Sequence, residues 1–399
     1  MTPRVVRSTL LSLTFLCAVV LLAPGSAHAQ PISSDDGRPL PEAARRLMQQ
    51  NPEAYTFERS LKDLTVRARE NRQLLQQGLL RGTPEQLARK TAVSGVRKVP
   101  IFLAKYDDTG SDPVSTGDMQ QMLFDGPWPT GTMTEYYDEI SYGLLQLDGT
   151  VYDWVTLPDG DDYYAGTTNG LDPADARVGE MIHEILDAND ASVNFADFDN
   201  DGPDGVPNSG DDDGYVDFIG IVHPEIGGEV NGTPADNIWS HRWRLSSWGA
   251  GEYTTDDNAA GGGKIKVNDY TVMPALSSSG SQIEIGVFCH EFGHAFGLPD
   301  LYDTDDDDGD SEGIGHWGLM GSGNWNSPDT PAHMCAWSKA ELGWLTPAVV
   351  TNDLNNFPII SSTISPTAFK LWKHGTPGSE YFLVENRTAD GFDADLKQP

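Results

Sequence analysis

The chain has 399 residues, 38% of them hydrophobic, and its 60 acidic residues against 26 basic ones give a formal net charge of −34. That length supports one or two cored domains. So large a negative charge argues against nucleic acids and anionic membranes as partners, and fits a soluble exported protein, calcium binding or high salt.

Residues 1–29 read as an export signal. Arg4 and Arg7 open it, Leu10 to Leu22 form a short apolar run, and Ala27-His28-Ala29 make a small-residue cleavage signal before Gln30. The run is too short for a comfortable membrane span, and nothing downstream resembles one, so the expectation is a secreted protein. Residues 30–98 hold 13 Lys+Arg against 8 Asp+Glu, whereas residues 99–399 hold 11 against 52. A basic stretch tethered to an acidic domain is expected to dock electrostatically. With Leu61, Leu64, Leu74, Leu75 and Leu79 at loosely helical spacing, it reads as a mostly helical pro-segment and intramolecular inhibitor; a plain linker is the alternative. It has no cysteine, so no thiolate from it can cap a metal. Arg89-Lys90 and Arg97-Lys98 are candidate processing sites.

From Val99 the pattern changes. Residues 99–108 are an apolar run ending in Asp, expected as a buried first strand. Within 174–189, Ala174, Val178, Met181, Ile182, Ile185 and Leu186 share one helical face. The His183-Glu184 pair on that helix has Asp187 where a second ligand would need His, and reads as a surface pair. In 195–223, Asp197, Asp199 and Asp201 alternate before Gly202, as in the first half of a calcium loop, with Asp204, Asp211, Asp212 and Asp213 following. Asn208 stands where a full EF-hand needs Glu. Calcium held by Asp197, Asp199, Asp201 and Asp213 is one reading and a solvated acidic turn the other; like-charge repulsion without a cation favours the metal. The acidic run Asp303 to Asp310 raises the same question. Residues 267–276 alternate and end near Pro274, which suits an edge strand.

The chemistry concentrates at Cys289 to Asp303. His290 and His294 are four apart, so on a helix both imidazoles reach one ion. Glu291 can reach a water on that ion, which makes this the HExxH arrangement of two zinc ligands and a general base. Gly297 should end the helix and let the chain turn back, bringing Asp300 beneath the metal as a third ligand. Ile285, Phe288, Phe292 and Phe296 are expected to pack against the 174–189 helix.

The extended motif HExxHxxGxxD resembles that of metzincin zinc peptidases, with Asp where many members carry a third His. GLPDLYD after the helix, GHWGLMGSGNWN at 315–326 and AWSKAELGW at 336–344 resemble the immune inhibitor A-like peptidases, a secreted bacterial family, from about Lys98 onward. The resemblance implies an α+β fold: a twisted mixed sheet, a backing helix at 174–189, the active-site helix, and a Met-turn at Met320 beneath the metal. EYYDEISYGLL (135–145) resembles the family's helix before a second strand. NIWSHRWRL (237–245) resembles a family segment, with His241 in a structural or substrate-side role. In metzincins an edge strand pairs with extended substrate. Residues 99–399 are then a metallopeptidase catalytic domain hydrolysing proteins or peptides, with Zn2+ and Ca2+ as its ions. Family members continue past EYFLVENR, so the expectation is a domain lacking its last strand. Two rivals remain: a thermolysin-like site with Glu312 as third ligand, and a non-catalytic calcium-loaded surface module. Cys289 and Cys335 are either a disulfide or two buried thiols, and Pro331 to Trp344 should form the helix after Met320.

Overall fold

The computed structural model describes residues 31, 39–230, 232–303, 311–326 and 330–396. The expected export signal and residues 304–310 of the second acidic run lie outside the described residues. Three helices come first: α1 (Glu42–Gln50), α2 (Lys62–Gln76) and α3 (Pro84–Lys90). α3 opens on Thr83, whose hydroxyl accepts from the Gln86 N–H while the Gln86 side chain returns to the Thr83 N–H, with Pro84 in the first turn. β1 (Gly95–Lys105) begins four residues before the expected strand, so Arg97-Lys98 lies within it and Arg97 is buried.

α4 (Thr116–Gln120) and α5 (Met133–Ile140) lead into β2 (Leu145–Thr156), and the short α6 (Asp161–Ala165) precedes α7 (Val178–Asn189). α7 is the expected helix. It starts at Val178 rather than Ala174 and buries Val178, Met181, Ile182, Ile185 and Leu186. His183 bonds the Gly251 carbonyl (2.9 Å) and Glu184 accepts from the Tyr164 hydroxyl (2.6 Å), so the pair is structural.

β3 (Ile219–Ile226), β4 (His241–Arg244), the hairpin β5 (Tyr253–Asn258) and β6 (Lys264–Val267), and β7 (Asp269–Leu276) follow. The main sheet runs β2-β1-β3-β7-β4; β4 alone is antiparallel to its neighbour. Residues 99–104 of β1 and 219–222 of β3 are buried on both faces, which explains the apolar runs there. The expected edge strand is corrected here. β7 lies inside the sheet, whose edge strands are β2 and β4. Pro274 is tolerated because β4 pairs only with Asp269 to Val272, leaving the chain open on that side at Pro274.

α8 (Ile285–Ala295) is buried along its whole length. Two ring contacts link this region to other elements. Phe292 meets Phe218 edge-on at 5.0 Å and Phe296 meets Tyr137 of α5 at 5.9 Å, while the Tyr137 hydroxyl donates to the Cys289 carbonyl (2.6 Å). The helix after Met320 is also shorter than expected: α9 is Ala336–Glu341. β8 (Ala348–Val349), β9 (Phe369–Trp372) and β10 (Tyr381–Val384) form a separate small sheet. Cys289 and Cys335 are free buried thiols, not a disulfide. Cys289 lies within α8, and Cys335, before α9, is turned to the Ser338 hydroxyl (3.6 Å).

Residues 40–92 pack onto this body. The Tyr55 hydroxyl donates to the Leu171 carbonyl (2.5 Å), and the buried Asp269 carboxylate accepts from the Glu58 and Arg59 N–H groups (2.9 and 2.7 Å). Arg59 pairs with Asp213 (3.0 Å) and Arg69 with Glu341 (2.6 Å). Leu61 and Leu64 are buried, each contributing about 1.5–3 kcal/mol of apolar burial. No helix among the described residues is long and apolar enough to cross a membrane.

Candidate metal centre and active site

One helix and the bend after it build the centre. Gly297, at φ +81°, ends α8 and bonds back to the His294 carbonyl (2.8 Å). The chain then reverses and brings Asp300 beneath the helix. Nε2 of His290 and Nε2 of His294 each lie 3.2 Å from Asp300 Oδ1, and 3.1 Å from one another. All three side chains are shielded from solvent. The opposite ring nitrogens are occupied: His290 Nδ1 bonds the Leu319 carbonyl and His294 Nδ1 the Leu298 carbonyl, both at 2.8 Å. Those bonds fix the tautomer and leave both Nε2 lone pairs facing Asp300.

The donor set fits zinc. A tetrahedral zinc with bonds of about 2.0–2.1 Å holds its ligand atoms roughly 3.3 Å apart, close to the triangle found here. Burial, and next Arg242, lower the His294 pKa to about 3, so the ring is the neutral form a metal needs. Burial alone would raise Asp300, but His294 and Arg242 hold it well below the usual carboxylate range. Glu291 is fully buried and both its carboxylate oxygens lack a hydrogen-bond partner. Burial pushes its pKa up to about 7, within reach of a proton-exchanging role near neutrality.

Met320 lies against the turn of α8 between the two His residues. A Cβ at Gly293 would come 2.5 Å from Met320 Sδ, so any side chain there would have to displace Met320. The Met320 carbonyl accepts from Leu301 N–H (2.6 Å), which ties the residue after Asp300 to the same floor. Glu312 is exposed, and the metal-competent group among the described residues contains Asp300 instead.

Two residues here escaped the sequence reading. Arg242 on β4 reaches Asp300 Oδ2 (3.4 Å). Tyr302 lies nearly parallel to His290, at 6.5 Å between rings, and its hydroxyl donates to the Pro31 carbonyl (2.7 Å). His241, by contrast, faces the core, bonding the Trp239 carbonyl and the Tyr270 hydroxyl.

The acidic turn gathers a different set from the expected one. Asp199, Asp201 and Asp212 bring ligand atoms within 4.8 Å of one another. Asp197 is exposed and held by Asn194, because Phe195–Phe198 form a 3-10 turn that breaks the alternation. Asp213 is turned to Arg59. Asp199 Oδ1, Asp201 Oδ1 and Asp217 Oδ2 are buried without partners. Burial, then neighbouring carboxylates, push Asp199 up to about 7 and Asp201 to about 6.

A family profile described as immune inhibitor A peptidase M6, catalytic domain, matches residues 101–349. The chain is 32% identical over 242 residues to the pre-pro-metalloprotease PrtV of Vibrio cholerae serotype O1, covering 56% of this chain and 25% of that protein. It is 35% identical over 206 residues to immune inhibitor A of Bacillus thuringiensis subsp. alesti, covering 49% of this chain and 28% of that one. The matched stretch thus spans about a quarter of the length of these relatives. The chain belongs to the immune inhibitor A family of M6 metallopeptidases, whose catalytic domain its residues 101–349 match.

Proposed function

We propose that the protein is a secreted zinc endopeptidase of metzincin type acting on extracellular proteins. The observation that carries this reading is the buried triangle of His290 Nε2, His294 Nε2 and Asp300 Oδ1, with the unpartnered Glu291 carboxylate one residue along the same helix. Zinc held by these three residues would acidify a water and polarise the scissile carbonyl. Glu291 takes the proton of the attacking water and delivers it to the leaving amine. β4, an edge strand of the main sheet, borders the site through Arg242 and would be the strand that pairs with an extended peptide. Met320 is the floor of the centre.

Asp199, Asp201 and Asp212 form a structural calcium site, supported by their convergence and by buried oxygens that no protein group satisfies. The part of residues 30–98 that precedes β1 is the inhibitory pro-segment, supported by its basic charge, the ion pairs above and the contact of Pro31 with Tyr302 beside His290. The test is metal analysis of the purified protein with a casein digest, with and without chelator. One zinc per chain and chelator-sensitive cleavage are expected; metal-loaded, processed protein that leaves every polypeptide intact refutes the reading.

A further inference from the structure

The third ligand has a companion. Arg242 is the second residue of β4, paired across the sheet with Thr271. Strand alternation sends His241 and Trp243 into the aromatic core, where Trp243 meets Tyr55 and Trp248, and turns Arg242 to the opposite face. There its guanidinium lies 3.4 Å from Asp300 Oδ2, with 4% of the side chain exposed and none of Asp300's. Oδ1 of the same carboxylate is the atom aimed at both imidazoles. The two oxygens therefore have separate tasks: one faces the metal position, the other a buried cation.

This division matters because a site with one carboxylate ligand differs electrically from one with three neutral imidazoles. The carboxylate takes one charge from the ion. A guanidinium on its outer oxygen restores that charge to the group as a whole and fixes the carboxylate's rotation. We propose that Arg242 is a positioning residue for the metal centre: it holds Asp300 with Oδ1 toward His290 and His294, and offsets its charge so that the site keeps the electrophilic strength of a three-imidazole one. The inference rests on the zinc reading above and adds a requirement to it. Where the third ligand is Asp, the arginine is needed; where it is a neutral His, the same positive charge only repels the ion.

That sign reversal is the test. Zinc affinity of the full chain is measured by competition with a chromophoric chelator for wild type, Arg242→Gln, Arg242→Lys, Asp300→His, and Asp300→His with Arg242→Gln. In the native Asp300 background, Arg242→Gln should weaken zinc binding roughly 10–100-fold, the usual span for losing such a partner, and Arg242→Lys should recover most of it. In the Asp300→His background, Arg242→Gln should strengthen zinc binding. Equal weakening in both backgrounds means a general packing role and overturns the proposal, as does unchanged affinity in Arg242→Gln. His290→Ala separates the two levels. If it abolishes zinc binding while Arg242→Gln does nothing, the zinc reading stands and this inference falls. If wild type holds no zinc, both fall.

Discussion

Calcium-depleted protein should lose stability as the pH rises from about 4 to 7, and calcium should restore it. Asp199 is 1% exposed, and burial together with Asp212, Asp213 and Asp201 raises its pKa from 3.8 to about 7. Each tenfold in acidity is about 1.4 kcal/mol, so ionising this carboxyl in the folded, cation-free loop costs about 4 kcal/mol. Below its unfolded value the carboxyl is protonated in both states and contributes no penalty. As pH rises, the unfolded chain ionises first, the folded state holds the extra proton, and stability falls until the folded pKa is passed. The penalty is complete above about 7. A divalent cation on Asp199, Asp201 and Asp212 removes it, so calcium should stabilise by about 4 kcal/mol near pH 8 and by little near pH 4. A gain of that size corresponds to free calcium near 1,000 times Kd. Thermal unfolding of the Glu291→Gln chain, chosen to suppress self-cleavage, should show a calcium-induced rise in Tm on the order of 5–10 °C near pH 8. Asp199→Asn should flatten both the pH and the calcium response. A calcium shift that is equal at the two pH values, or absent, refutes the reasoning.

Four further outcomes are expected. Glu291→Gln should retain zinc while peptide hydrolysis falls by on the order of 10²–10⁴-fold; wild-type turnover would remove Glu291 as the base. Zinc content should collapse in Asp300→Ala and persist in Glu312→Ala, and the opposite pattern would move the third ligand to Glu312. The Thr65 hydroxyl donates to the Phe296 carbonyl at the end of α8 (2.6 Å), and Ser60 donates to Ala295 (3.0 Å). Thr65→Val should therefore cost about 1–3 kcal/mol and open residues 40–92 to limited proteolysis, and unchanged protection counts against docking through this contact. Burial raises both the Cys289 and Cys335 thiols. Neither should react with a thiol reagent until the protein is unfolded, whereupon both should; an oxidised pair in the non-reduced protein contradicts the free thiols.

The local motif carried most of the centre. An i, i+4 pair on a helix, a Gly that must take positive φ, and an Asp three residues beyond it are short-range relations, so spacing alone anticipated that His290, His294 and Asp300 would meet. Met320 was legible only through resemblance, and its physical reason is the missing Cβ of Gly293. The buried face of α7 followed from helical period.

What sequence left open depends on which strands and loops become neighbours. Alternation in 267–276 was read correctly as a strand, yet whether another strand lay beside it was decided by β4, which covers only the first half of β7. Spacing nominated Asp197 and Asp213, but a 3-10 turn removed one and Arg59, 154 residues away, took the other, leaving Asp212 in the cluster. Arg242 stands 58 residues before Asp300, a separation no periodicity spans. Backbone geometry within a turn is local and can be read from residue types; the pairing of distant charges follows from sheet order, which arises when the whole core is buried at once.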